Sequence, residues 1–130
     1  MWVTPRQARL VTGLERYQLD WLRKTNKISA KKWGRMWIYD AGDLYRISEQ
    51  AREVLSELTR FSERTESGRH FTEAFRHWRV LEECGWIRVE RPAHQATGIS
   101  YDQSYWRAEL TEEGMQVAEF AETLLEEPVG

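Results

Sequence analysis

Cysteine is nearly absent from this chain. Cys84 is the one residue of its kind, so an internal disulfide is excluded and a reducing, cytoplasmic setting is expected. Long apolar runs are missing as well. No stretch reaches the roughly 18–20 residues that a membrane helix needs, and Arg6 and Arg9 interrupt any secretory-leader pattern. The residue patterns of catalysis are also lacking: there is no phosphate-binding glycine loop, no nucleophile elbow and no paired-cysteine zinc spacing. His70, His77 and Cys84 recur at seven-residue steps, but on one helix such neighbours lie about 10 Å apart, too far to share a metal held at about 2 Å per ligand. No catalytic residue, metal or cofactor is therefore expected. The last absence is of positive charge: from Ala108 onward there are seven Glu and no Lys or Arg.

What is present is strongly asymmetric. Residues 1–47 hold ten Lys/Arg against four Asp/Glu, a net charge of +6, while the remainder carries −8 within an overall −2. Such a division points to a polyanionic partner for the first half, the alternative being an ordinary solvated surface. At 130 residues the chain can form one ordinary domain, or two minimal ones sharing a helix. Seven Trp suggest small layers closed by large side chains in a core or interface.

The order of local signals in residues 4–44 is informative. Thr4 and Gln7 form a capping box around Pro5, opening a short helix that Thr12-Gly13 closes. A second helix, about Glu15 to Lys24, turns Leu14, Leu19 and Leu22 inward and leaves Arg16, Tyr17, Gln18, Arg23 and Lys24 outward. Arg and Gln pair with base edges and Lys and Arg with phosphates, so this helix can read a major groove. Ile28–Lys32 and Met36–Tyr39 alternate as half-buried strands around a Trp33-Gly34-Arg35 turn. Lys31, Lys32 and Arg35 gather at its tip beside Trp33. Asp40 then reads as the cap of a further helix, with Asp43 in its first turn.

This order, with Gly34-Arg35-x-Trp37-Ile38 leading into Asp40-x-x-Asp43-Leu44, resembles the winged helix-turn-helix of the MerR and phage-excisionase superfamily. The resemblance covers about a third of the chain. It implies docking on double-stranded DNA through Arg6, Arg16, Tyr17, Gln18, Arg23, Lys24, Lys31, Lys32, Trp33 and Arg35. The chain departs from the family at Glu15, where a capping Ser or Thr is usual, and at Asp20, where a base is usual. Those carboxylates would repel phosphates unless Arg16, Arg23 or Lys24 pairs with them.

Ile47, Ala51, Val54, Leu58 and Phe61 form a heptad-like stripe, with Glu49, Gln50, Arg52, Glu53, Glu57 and Arg60 on the other faces. One amphipathic helix is expected from Asp40 to about Arg64, its stripe forming either a homodimer seam or an intramolecular core. Beyond Ser67-Gly68, Thr72 caps a helix to about Glu83 with Phe75, Trp78 and Leu81 buried, and Gly85 ends it. His77 and Glu73 are spaced for a surface pair. A strand from Trp86 to Arg91, a polar wing from Pro92 to Gln103 and a return strand through Trp106 to Leu110 lead to a Thr111-capped final helix.

Leu81-x-x-x-Gly85-Trp86-Ile87, followed by Leu110-Thr111-x-Glu113-Gly114, resembles the second half of a MarR- or PadR-type winged helix. That implies a second candidate DNA surface of Arg69, Arg76, Arg79, Arg88 and Arg91, with His70, His77 and His94 nearby. Otherwise this half is an assembly or protein-docking module.

The expected fold is mainly α with small β-wings: two winged-helix-like halves, residues 1–47 and 67–130, joined by an amphipathic helix over 48–66. The expected work is non-catalytic, sequence-specific binding of duplex DNA by a nucleoid-associated dimer. It would serve transcription, recombination, or plasmid or phage maintenance. The alternative is a winged-helix module that docks another protein through its acidic C-terminal half.

Overall fold

The computed structural model describes residues 1–61, 66–67, 70–91 and 106–126. The first part runs β1 (Trp2–Val3), α1 (Pro5–Thr12), α2 (Arg16–Lys24), β2 (Ala30–Trp33), β3 (Met36–Asp40) and α3 (Ala41–Ile47). Thr4 Oγ1 accepts from the Gln7 N–H and Gln7 Oε1 from the Thr4 N–H, both at 3.1 Å, so the capping box forms as its residues suggest. Gly13 ends α1 at φ +73 and donates its N–H to the Arg9 carbonyl. β1, β3 and β2 form an antiparallel sheet in that order, and Trp33 opposite Met36 closes the β2–β3 hairpin. Gly34 takes the first turn position at φ +63, the sign that a two-residue II′ turn requires there.

The long helix expected over residues 40–64 is two helices. α3 ends at Ile47, and α4 runs Glu49–Arg60. Ser48 between them is extended (φ −121°, ψ 118°), and its Oγ accepts from the Ala51 N–H at 3.1 Å, so it serves as the cap of α4. Asp40 occupies the cap position of α3 but makes no side-chain cap bond. Asp43 takes the neighbouring loop instead: its Oδ2 accepts from Ser29 N–H at 2.7 Å and its Oδ1 from Arg46 at 3.0 Å.

After α4 come β4 (Glu66–Ser67), α5 (His70–Ala74), α6 (Trp78–Glu83), β5 (Ile87–Glu90), β6 (Arg107–Leu110) and α7 (Glu112–Glu126). The helix expected from Thr72 to Glu83 breaks at residues 75–77, because Glu57 Oε2 accepts the His77 N–H at 2.8 Å and removes it from a helical ladder. Glu57, expected on the solvated side of its helix, is only 8% exposed. The sheet order is β4-β6-β5. Both parts thus share one topology: a short strand, two helices, and a hairpin whose second strand pairs with the short strand. The wing expected at 92–103 lies outside the described residues.

Ala51, Val54, Leu58 and Phe61 are at most 2% exposed within the chain itself, and α4 packs along α7 through Val117, Ala118, Ala121 and Leu124. The stripe is therefore filled intramolecularly. A homodimer seam over 47–61 is corrected: only Ile47, at 44% exposure, is left at the surface. Phe61 also joins a ring cluster with Phe71, Phe75, Trp78 and Trp106, its closest centroid lying 4.0 Å from Phe75. Gly114 lies so close to the Trp86 carbonyl that any Cβ there would overlap it. Thr111 Oγ1 accepts from the Gly114 N–H at 3.0 Å and donates to the Gly85 carbonyl at 2.6 Å, which locks the start of α7. The structure is mainly helical with two small antiparallel sheets, and among the described residues no helix is long and apolar enough to cross a membrane.

Candidate nucleic-acid interface

α1, α2 and the β2–β3 hairpin enclose a cleft of about 610 Å³. Arg6 and Arg9 from α1, Arg16 from the first turn of α2 and Arg35 from the hairpin turn line it, over a floor that includes Leu10, Leu19, Trp37 and Tyr39. Two carboxylates, Glu15 and Asp20, share the cleft. Asp20 Oδ1 stands 3.6 Å from Arg23 Nη2, so the charge that departs from the family pattern is met inside the protein. None of Arg6, Arg9, Arg16 or Arg35 pairs with a carboxylate among the described residues. Arg9 was not anticipated; its i+3 spacing from Arg6 on α1 was the available signal.

The hairpin adds exposed cations on both sides of β2. Lys31 Nζ lies 4.5 Å over the Trp2 ring and Lys32 Nζ 5.1 Å over Trp37. These contacts hold the stems upright and leave the ammonium groups in water. Trp33 is 68% exposed beside Arg35. Lys24, at the end of α2, is exposed as well.

Other expected contacts are redistributed. Arg23 is a strut: its guanidinium stacks 4.2 Å over Trp37 and pairs with Asp20. Tyr39 beneath it has its phenol pKa pushed up by burial and then by Asp20, with Arg23 acting in the opposite direction. Gln18 commits its Oε1 to the Glu15 N–H at 2.8 Å, closing the start of α2 rather than projecting outward whole. Tyr17 (71% exposed) turns away from Arg16 and, with Leu14, Gln18, Trp21 and Leu22, lines a separate groove of about 500 Å³. Trp21 at 58% exposure was likewise not anticipated, although it stands four residues after Tyr17 on the same helical face. Trp2, Trp21 and Trp33 are exposed, so the aromatic content is only partly core.

The second cationic set does not form a comparable surface. Arg88 pairs with Glu109 across the β5–β6 ladder. Arg91 makes a two-pronged bond to Glu82, both arms at 2.7 Å, and lies 4.9 Å over Trp106; the Glu82 bonds raise its pKa against burial. Arg79 lies 5.3 Å over Trp78, and Arg76 is exposed. Arg69 and His94 lie outside the described residues, as does the His70 side chain. His77 Nε2 meets Glu53 Oε2 at 2.9 Å, a partner on α4 in place of the one expected at Glu73.

Burial, reinforced by Glu113, pushes the Cys84 thiol up to about 12, which makes it a poor nucleophile. Among the described residues no cluster of His, Cys, Asp or Glu is arranged to hold a metal.

No family model, no curated protein and no solved structure matches this chain.

Proposed function

We propose that the chain is a non-catalytic, sequence-specific binder of double-stranded DNA, built on two winged-helix-like units of which the first carries the contact surface. The observation that carries this reading is the cleft lined by Arg6, Arg9, Arg16 and Arg35, continued along the hairpin by Lys31 and Lys32. Cations held on aromatic rings or left unpaired can exchange water and counterions for phosphates with little internal loss. Arg16 at the open end of α2 is the candidate for base-edge contact, while Lys24, Lys31, Lys32 and Arg35 follow the backbone. The motif order of residues 4–44, with its MerR and excisionase resemblance, supports the same reading. A role in transcription, recombination, or plasmid or phage maintenance in the nucleoid is consistent with it, as is a dimer formed on a surface other than the filled α4 stripe.

Selection of bound duplexes from a random pool by the purified chain tests the proposal. Enrichment of a defined site, with affinity falling steeply as salt rises, is expected. Failure to enrich any duplex, together with salt-insensitive binding, would overturn it. A second reading, protein docking, is favoured by one feature, the apolar groove of Leu14, Tyr17, Trp21 and Leu22 on the far side of α2. Trp21→Ala distinguishes them: it should leave the salt dependence of DNA binding unchanged and weaken only a protein contact.

A further inference from the structure

Trp33 and Met36 are cross-strand partners at the closing position of the hairpin, so their side chains project from one face at its tip. They are 68% and 44% exposed. The rings of Trp2 and Trp37 each carry a cation, whereas no ring or cation contact engages Trp33 among the described residues. The turn beyond it stands in open space, with nothing within 4 Å of a Cβ built at Gly34. Lys31, Lys32 and Arg35 surround this apolar tip, and all three are exposed.

An apolar projection ringed by cations matches one feature of a duplex, the edge of a base step between two phosphate strands. Proteins that kink DNA insert such apolar wedges from the minor groove and partly unstack the step, bending the duplex by about 20–90°. Indole suits the opened step because it offers a broad face on which a base can stack.

We propose that the hairpin tip is a wedge, in which Trp33, backed by Met36, enters the minor groove and stacks into a base step. Lys31, Lys32 and Arg35 hold the flanking phosphates, and the DNA bends away from the tip. The proposal rests on the reading of the first unit as a duplex binder and assigns that unit a deforming action as well as an affinity.

The test uses the full chain and a duplex of about 30 base pairs, a length over which bending is readily measured. Donor and acceptor dyes sit at its two ends, and a second version carries a central mismatch. Binding of the wild type should shorten the end-to-end distance and favour the mismatched duplex several-fold, because the step is already loosened. Trp33→Ala should abolish both effects while keeping the salt dependence of binding. Trp33→Leu, which retains an apolar wedge, should keep part of the bend. Thermal melting checks that both variants stay folded. A wild type that binds without shortening the duplex, or Trp33→Ala that bends it as the wild type does, would overturn the wedge alone. Absence of binding to either duplex would overturn the DNA reading itself.

Discussion

The Arg23 guanidinium lies 4.2 Å over the ring of Trp37, and this stacking joins α2 to the hairpin. With the Asp20 pair at 3.6 Å, it makes Arg23 part of the scaffold that sets the width of the cationic cleft. Arg23→Ala should therefore cost about 1–2 kcal/mol of stability by denaturant unfolding, the range for a partly desolvated cation on an aromatic ring. The folded fraction should keep nearly the wild-type salt slope of binding. Arg16→Ala should behave in the opposite way, with little loss of stability and about 1–3 kcal/mol weaker binding to a preferred site.

Gln7 joins the two parts of the molecule. Its Nε2 donates to the Cys84 carbonyl at 2.9 Å and to Glu113 Oε1 at 3.1 Å, while its Oε1 completes the box with Thr4. Gln7→Ala should lower stability by about 1–3 kcal/mol, combining a lost cap arm with an unpaired carbonyl. Gln7→Glu should also destabilise, since it removes both donors and sets a second carboxylate beside Glu113. Urea unfolding followed by tryptophan fluorescence measures both variants.

Leu58 is fully buried in the contact between α4 and α7, and Leu58→Ala should cost about 2–5 kcal/mol. The unfolding midpoint should be independent of protein concentration for wild type and variant alike, because the stripe is filled from within the chain. A midpoint that rises with concentration and loses that rise in the variant would return the stripe to an intermolecular seam.

Caps and turns were legible because their causes are local. Thr4 with Gln7, and Gly13, Gly34, Gly85 and Thr111, each act within about four residues, and each stands where its residue type suggests. The two-residue strands β1 and β4 gave no alternation to read, since they exist through pairing with β3 and β6. Apolar spacing continues across Ser48, so periodicity alone joined α3 to α4, and only the Ser48 cap bond separates them. The stripe was visible, but its occupant, α7, lies some sixty residues away in sequence. Arg16 and Arg23 look alike in sequence. Trp37 decides which one faces the cleft opening and which one becomes a strut, and that depends on how the hairpin folds back.

Asp43 provides a pH signature. Burial works against its charge, but the Ser29 bonds and Arg46 outweigh it and hold the carboxyl below its ordinary range. A carboxylate depressed on folding adds stability above its unfolded pKa, about 4, and loses that contribution as pH falls through the folded value. Stability should therefore decline below about pH 4, and Asp43→Asn should flatten that decline while lowering stability at neutral pH. Thermal melts across pH 2–7 measure the difference.

The central claim is that the hairpin cations meet phosphates, and the salt dependence of binding tests it most directly. Affinity of the wild type and of a Lys31→Ala, Lys32→Ala, Arg35→Ala triple variant is measured for one duplex from low to moderate salt. Each lost phosphate contact removes about 0.9 from the slope of log affinity against log salt, so the variant should be shallower by up to roughly three units. Its melting temperature should be nearly unchanged, since all three side chains are exposed. A folded triple variant with the wild-type slope would contradict the account and remove the hairpin from the DNA surface.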